Sequence, residues 1–400
     1  MSRNKKIIPD LRFPEFEKDG EWKIIEVGDV FNVTRGNVLA MNLVQENKSE
    51  EFPYPVFSSQ TKNNGLAGFY KEYLYENAIT WTTDGANAGD VNYRIGKFYC
   101  TNVCGVLLNE EGLANLCIAE LINSVSKKHV SYIGNPKLMN GVMSKIKIPI
   151  PSITEQQKIA SCLSSLDEVI EAHSQRLELL KDHKKGLMQN LFPQESEKVP
   201  KFRFPEFEKD GAWVEKKLGT VAEIITGNTP STHKSEYYDG EIMFISPADI
   251  NGDRYITQTK TTLTELGFSK TRPLKANSVL FVCIGSTIGK IAQNKFECAT
   301  NQQINSLMPF KEYSSEFLYS ALENSASQIS KLAGIQAVPI INKSQFSSVK
   351  LFFPKIQEQQ KIASCLSALD DLITAEADKI EQLQQHKKGL MQGLFPKIEN

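Results

Sequence analysis

No run of 18 apolar residues occurs anywhere in the sequence, so it offers no candidate for a membrane-spanning helix. The opening MSRNKKIIPDLRF carries charges with no apolar stretch behind them, which does not read as a signal peptide. No block of like charges is long enough to mark a disordered tail. The seven cysteines, an odd number in a large chain, read as reduced thiols of a cytoplasmic protein. Cys100 and Cys104 stand close in sequence, but no second pair and no nearby histidine completes a metal set. The five histidines are scattered. No GxGxxG, HExxH, GxSxG or Pro-Pro-Tyr methyltransferase motif is present. Gly285–Lys290 looks superficially like a phosphate loop, but only three residues separate its glycines and Ile291 follows its lysine. These absences leave no catalytic residue, metal site or bound cofactor to assign: the chain reads as a reader and not a catalyst.

What is present is repetition. The 400 residues, 40% hydrophobic and 23% charged, allow two or three globular domains. PDLRFPEFEKDGEW (Pro9 to Trp22) returns as PKFRFPEFEKDGAW (Pro200 to Trp213). A longer segment, Pro151 to Pro193, returns as Pro354 to Pro396 with 28 of 43 positions identical. The segments between these echoes, 23–150 and 214–353, barely resemble each other. Long near-identical stretches alternating with unlike ones imply a pseudo-twofold body that presents two different surfaces.

The echoed segment predicts a long helix. Its apolar residues Ile159, Leu163, Leu166, Ile170, Leu177, Leu180, Leu187 and Leu191 step by fours and threes, with His173 and Lys184 filling the gaps. The second copy runs Ile362, Leu366, Leu369, Ile373, Ile380, Leu383, Leu390 and Leu394, with Glu376 and Lys387 in the gaps. Prolines bracket both, and Ser152 with Glu155 would form a capping box that Lys355 denies the second copy. A narrow heptad seam needs a partner helix, and the other copy is the obvious one. Antiparallel pairing sets Ile159 against Leu390, Leu166 against Leu383, Leu180 against Leu369 and Leu187 against Ile362. It brings His173 to Glu376 at the centre.

The divergent segments mix strand-like runs with one helix each. AITWT from Ala78, VNYRIGKFY from Val91, VCGVLL from Val103 and a helix near 113–126 mark the first. IMFI from Ile242, SVLFVC from Ser278 and a helix near 314–330 mark the second. KIKIPI and VKLFF lead directly into the long helices. The fold class is α+β: two globular domains joined by two long antiparallel helices in an internally duplicated, pseudo-twofold arrangement. The boundaries read as 1–150, first domain; 151–193, first helix; 194–213, linker with the repeated RFPEFEKDG; 214–353, second domain; 354–400, second helix. TDGANAGDV (Thr83 to Val91) and CIGSTIGKI (Cys283 to Ile291) share Gly85/Gly285 and Gly89/Gly289, which one common turn would require. Thr101-Asn102 and Thr300-Asn301 follow at nearly matching distances.

EQQKIASCL and HKKGLMQxLFP in duplicate, SSQTKNNGLAGFY, ITGNTPSTHKSEYYDGEIMFISPADI, and GSTIGK with ATNQQI carry a resemblance. From about Leu11 to Pro396 the chain resembles the DNA-specificity (S) subunit of a type I restriction-modification enzyme. Asn228 of ITGNTP stands where that family commonly has a second glycine. The resemblance implies that each divergent segment is a target-recognition domain reading one half of a split, asymmetric DNA site. It implies a helix pair that spaces the halves and docks two modification subunits, which use S-adenosylmethionine to methylate an adenine flipped from the stack. Restriction subunits would add ATP- and Mg2+-dependent translocation and cleavage. Residues 23–150 carry 12 basic and 12 acidic side chains, and 214–353 carry 14 and 12. With a formal net charge of −1 for the whole chain, it should bind DNA poorly without partners that supply positive charge.

On this reading Ser58, Ser59, Gln60, Lys62, Asn63 and Asn64, then Thr83 and Asn87, are DNA-contact candidates in the first domain. Amides and lysine match the donor–acceptor patterns of adenine and guanine edges. In the second domain the candidates are Thr229, Ser231, Thr232, His233 and Lys234 in one loop, Ser286, Thr287 and Lys290 in another, and Asn301, Gln302 and Gln303 in a third. Each is open to base contact, phosphate contact or no contact. SQTKNNG also fits a plain solvated turn, and Gln302 with Gln303 an internal hydrogen-bond network. Tyr237 and Tyr238 fit the core better than DNA stacking, and Cys162 and Cys365 read as packing residues.

Overall fold

The computed structural model describes residues 7–59, 63–194, 197–334 and 338–396. They form two compact units, one of Met1–Ala172 with Ile380–Asn400, the other His173–Lys379. Each unit holds one recognition domain, the first part of one long helix and the last part of the other.

In the first unit, strands β2 (Asn32–Arg35), β3 (Tyr54–Phe57), β4 (Leu66–Tyr70), β5 (Tyr75–Thr82), β6 (Val91–Cys100) and β7 (Cys104–Leu108) make a six-stranded sheet. Its order is β2-β7-β5-β6-β3-β4, antiparallel except where β3 meets β6. β1 (Lys23–Glu26) pairs with β8 (Lys147–Ile150), which leads into the long helix. Helix α1 (Leu116–Ser126), capped by the Asn115 side chain on the Ile118 amide, covers one sheet face. Its Cys117, Ile118, Leu121 and Ile122 are buried with Ile79, Trp81 and Leu107.

The second unit repeats this plan with one break. β10 (Ala222–Thr226), β17 (Ile304–Pro309), β14 (Val279–Val282), β15 (Ile291–Asn294) and β12 (Tyr255–Ile256) form one sheet in that order. β13 (Thr261–Leu263), β11 (Tyr238–Ile245) and β16 (Cys298–Thr300) form another, and β9 (Val214–Lys217) pairs with β18 (Lys350–Phe353). The place of the continuous β6 is taken by β15 and β16, so the chain bends between them. That bend lets Met243 and Ile245 close over Leu280, Val282 and Ala292 in a separate core. Helix α3 (Ser315–Ser330), capped by Ser314, does the work of α1.

The long helices are α2 (Ile153–Leu191) and α4 (Ile356–Leu394), 39 residues or about 58 Å each. Every apolar seam position named above is buried or half-buried. In the first unit Ile159 and Leu163 of α2 share a core with Leu390 and Leu394 of α4. In the second, Leu187 packs against the core holding Ile362 and Leu366. His173 Nδ1 lies 2.6 Å from Glu376 Oε1, the facing pair that the antiparallel register demands. The lysine gaps are filled by ion pairs: Lys184 with Asp370 at 2.7 Å and Glu323 at 2.9 Å, Lys387 with Asp167 at 2.7 Å and Glu120 at 3.6 Å.

The start of α2 differs from the expected capping box. The Ser152 hydroxyl accepts the Glu155 amide at 3.3 Å, but the Glu155 carboxylate does not reach back. Arg12 takes it instead, through Nε at 2.8 Å and Nη2 at 2.7 Å, and its Nη1 reaches the Gly20 carbonyl at 3.0 Å. Arg203 grips Glu358 of α4 at 2.8 and 2.7 Å in the same way. The repeated RFPEFEKDG therefore clips the head of one long helix to the tail of the other. Leu11 N donates to Gly393 O, and Phe202 N to Asn190 O. The repeated glutamine has an equally local purpose: Gln156 and Gln359 each donate to the preceding proline carbonyl. Their Oε1 atoms accept from Asn115 and from the Ser314 amide at the caps of α1 and α3.

Candidate nucleic-acid interface

Both recognition domains build the same turn from different side chains. Gly85 and Gly285 sit at φ +96°, Gly89 at +88° and Gly289 at +94°, a region closed to most L-residues. The backbone bonds coincide: Thr82 N to Asp90 O and Val282 N to Lys290 O, Gly85 N to Pro136 O and Gly285 N to Pro339 O. Beside each turn a glycine, Gly36 or Gly227, packs so closely on the Cys100–Thr101 or Thr300–Asn301 carbonyls that a Cβ would not fit. Onto this shared backbone the first domain mounts Asp84, Ala86, Asn87 and Asp90, the second Ile284, Ser286, Thr287 and Lys290.

Three of the first-domain candidates, Ser58, Asn64 and Asn87, line one polar hollow of about 230 Å³, whose wall also includes Thr80, Asn92 and Arg94. Ser58 bonds Thr101 Oγ1 at 3.0 Å, and Ser59 is half-buried beside it. Asn63 and Asn64 are exposed and left-handed at φ +51° and +50°, a turn conformation that asparagine tolerates. Gln60 and Lys62 lie outside the described residues. Thr83 sits apart: it is buried, its hydroxyl lying 3.0 Å from Val103 O and 2.7 Å from Asp84 Oδ2.

In the second domain Ser231, Thr232, His233 and Lys234 are exposed together on one loop, with the Lys234 ammonium 5.3 Å from the Tyr237 ring centre. Thr229 donates to Gln302 Oε1 at 2.7 Å, which joins the first and third candidate loops. Ser286 is exposed and Thr287 half-buried on the shared turn. Lys290 turns inward, its ammonium 2.8 Å from the Ile250 carbonyl. Asn301 donates to Gln303 Oε1 at 3.0 Å, and Gln303 to the Ile284 carbonyl at 3.3 Å, so these two amides brace the turn. Tyr237 is buried and the Tyr238 hydroxyl donates to Pro230 O at 2.8 Å.

Among the described residues no three His, Cys, Asp or Glu side chains gather as a metal site needs, and no helix is long and apolar enough to cross a membrane. Burial raises the Cys100 and Cys104 thiols, the latter to about 11, and so keeps both protonated. Arg94, Asn92 and Asn123, which no sequence motif singles out, also line the hollow. Their signal was available in the strands: Thr80 and Thr82 alternate on one face where the second copy has Leu280 and Val282.

The family described as type I restriction modification DNA specificity domain matches residues 19–182 and again 211–385. The chain belongs to this family. It is the DNA-specificity subunit of a type I restriction-modification system, a subunit without a catalytic centre. It is 26% identical to the specificity subunit of the type I restriction enzyme MjaVIII from Methanocaldococcus jannaschii, over 97% of this chain and 94% of that one. A putative type I specificity subunit from Mycoplasma pneumoniae is 27% identical, over 94% and 98%. The S subunit of M. genitalium shares the fold at a TM-score of 0.68 and 16% identity, covering 98% of this chain and all of that one. Both family matches of the specificity subunit span a recognition domain together with most of the helix that follows it.

Proposed function

We propose that residues 1–150 and 214–353 each read one half of a split, asymmetric DNA site, and that α2 and α4 set the spacing between the halves. The observation that carries this reading is the shared turn: one backbone, repeated bond for bond, bearing unlike side chains. Two such turns present unlike donor–acceptor sets, as an asymmetric site requires. In the first domain the contact surfaces are the Ser58–Asn64 loop and Asn87 on the shared turn, with Thr83 buried beneath it. In the second they are Thr229–Lys234, Ser286 with Thr287, and Gln302, while Lys290, Asn301 and Gln303 hold these loops in place.

The duplicated faces of the helix pair would dock two identical modification subunits, which bring S-adenosylmethionine and methylate adenine N6. Restriction subunits would use ATP and Mg2+ to cleave unmodified DNA. Near-zero charge in both recognition domains fits a subunit that holds DNA only inside such a cytoplasmic assembly, since phosphate neutralisation dominates affinity. The test exchanges residues 214–353 for the second domain of another family member and maps methylated sites by sequencing. One half of the motif should change and the other stay. Simultaneous change of both halves would overturn the reading.

A further inference from the structure

One sheet face is packed throughout in the second domain; in the first it is packed at Ala78, Phe98, Cys100 and Val106 but borders a cavity beside Thr80 and Thr82. The strand registers align the two: Thr80 stands opposite Asn92 and Val106, Leu280 opposite Ala292 and Ser306. Thr80, Thr82, Asn92 and Cys104 thus occupy the places of Leu280, Val282, Ala292 and Ile304. In the second domain those four are fully buried, in a core closed by Met243 and Ile245. In the first, Thr80, Thr82 and Cys104 are also buried, but together with Asn92 and Arg94 they wall the polar hollow of about 230 Å³. A buried leucine contributes about 1.5–3 kcal/mol, so filling this face would be the more stable choice. The fold itself does not require the hollow.

Arg94 lies within it. Its Nε donates to Thr80 Oγ1 at 3.0 Å and its Nη2 to the Asn64 carbonyl at 2.7 Å. The guanidinium stacks 3.8 Å from the Phe57 ring centre. No carboxylate among the described residues pairs with it, and burial pushes its pKa down to about 10. The cation is thus fixed in position, partly stripped of water and uncompensated. Its free N–H groups call for acceptors. A phosphate is one source, but among the described residues the wall includes Asp90 and no cation besides Arg94, and a phosphate so placed would face a carboxylate (itself held by Lys127 at 2.7 Å). Amides, a hydroxyl and a carboxylate around one arginine suit a base edge better. Guanine alone presents two adjacent acceptors, O6 and N7, to an arginine fork.

We propose that Arg94 is a specificity-determining residue that reads a guanine in the half-site bound by the first recognition domain. The proposal rests on the split-site reading above. The test uses this chain assembled with its modification subunits, as wild type, Arg94→Lys and Arg94→Leu. Lysine keeps the charge without the fork, and leucine keeps the apolar contact with Phe57 without any charge to bury, so one of the two should fold. Methylated motifs are mapped by sequencing, and binding is measured on duplexes with 7-deazaguanine at the candidate position.

The wild type should show a guanine in the half-site that survives exchange of residues 214–353. The variants should accept any base at that position, with the other half-site unchanged. Removing N7 should weaken wild-type binding about 10- to 100-fold and leave Arg94→Leu indifferent. A first half-site without guanine, or variants with an unaltered motif, would overturn the role of Arg94 while leaving the split site standing. Uniform loss at every site with the motif intact would make Arg94 a phosphate contact and also overturn it. A wild-type complex with no split motif would remove the functional reading and this proposal together.

Discussion

Arg12 and Arg203 show what a duplicated residue is for. Each is almost buried, as is the glutamate that it grips, with side-chain exposures of 7% and 1% in the first pair. The Glu155 bond holds the Arg12 pKa above its ordinary value, against the opposing pull of burial. Breaking one partner of such a pair leaves a buried charge, which costs about 3–5 kcal/mol. Arg12→Ala should therefore lower the melting temperature clearly, and Arg12→Met with Glu155→Leu should restore most of it; thermal unfolding by circular dichroism measures both. Gly85 poses a separate question at the same scale. A Cβ there would meet nothing within 4 Å, so Gly85→Ala tests backbone strain alone. It should cost about 1–2 kcal/mol in chemical denaturation, and a neutral result would show that the turn tolerates a right-handed alternative.

The polar residues of the helix seam are all answered across it. His173 meets Glu376 at 2.6 Å, and Arg176 approaches the same carboxylate at 3.7 Å. Exchanging the two residues (His173→Glu with Glu376→His) should retain assembly better than either single change. A double-mutant cycle should give a coupling of about 1 kcal/mol, and zero coupling would contradict the register. Lys184 supplies a pH test. Burial pulls its pKa down, yet Glu323 and Asp370 more than reverse this, leaving it above the usual lysine value. A folded pKa raised above the unfolded one contributes stability that is complete below about pH 10 and lost only as pH climbs through the folded value. The melting difference between wild type and Lys184→Met should thus stay constant from pH 7 to 9. A difference that shrinks within that range would show the ammonium already titrating.

At the scale of the whole molecule, the proposed spacer makes a geometric demand. Four residues inserted after Ala172 add about 6 Å of helical rise while keeping nearly the same face on the seam, at the cost of a stutter. With base pairs stacked about 3.4 Å apart, the unread gap of the methylated motif should widen by about one or two pairs. The lower value is expected because only one helix is lengthened. Both half-site sequences should remain as they were. An assembled, active complex that keeps the original gap would exclude the helices as the spacer.

Periodicity and repetition are properties of the chain itself, and what they determined was therefore readable in the sequence. The 4-3 spacing placed both long helices, and their antiparallel register followed from matching Ile159 with Leu390 and His173 with Glu376. The alternating runs at Ala78, Val91 and Val103 became β5, β6 and β7, and the shared glycines became the two left-handed corners of one turn. What the sequence left open depended on which distant groups meet. Nothing local says that the Glu155 carboxylate turns from its own cap to Arg12, 143 positions away. Nor does it say that Lys290 spends its ammonium on Ile250, or that Thr83 is buried while Asn63 and Asn64 face outward. The hollow around Arg94 is the clearest case: whether Thr80, Asn92 and Arg94 face solvent, core or ligand depends on whether another strand closes over them. In the second domain Met243 and Ile245 do so; in the first, Phe57 stacks on the arginine and the space stays open. Burial belongs to the assembled sheet and not to any strand within it, so only the tertiary structure decided it.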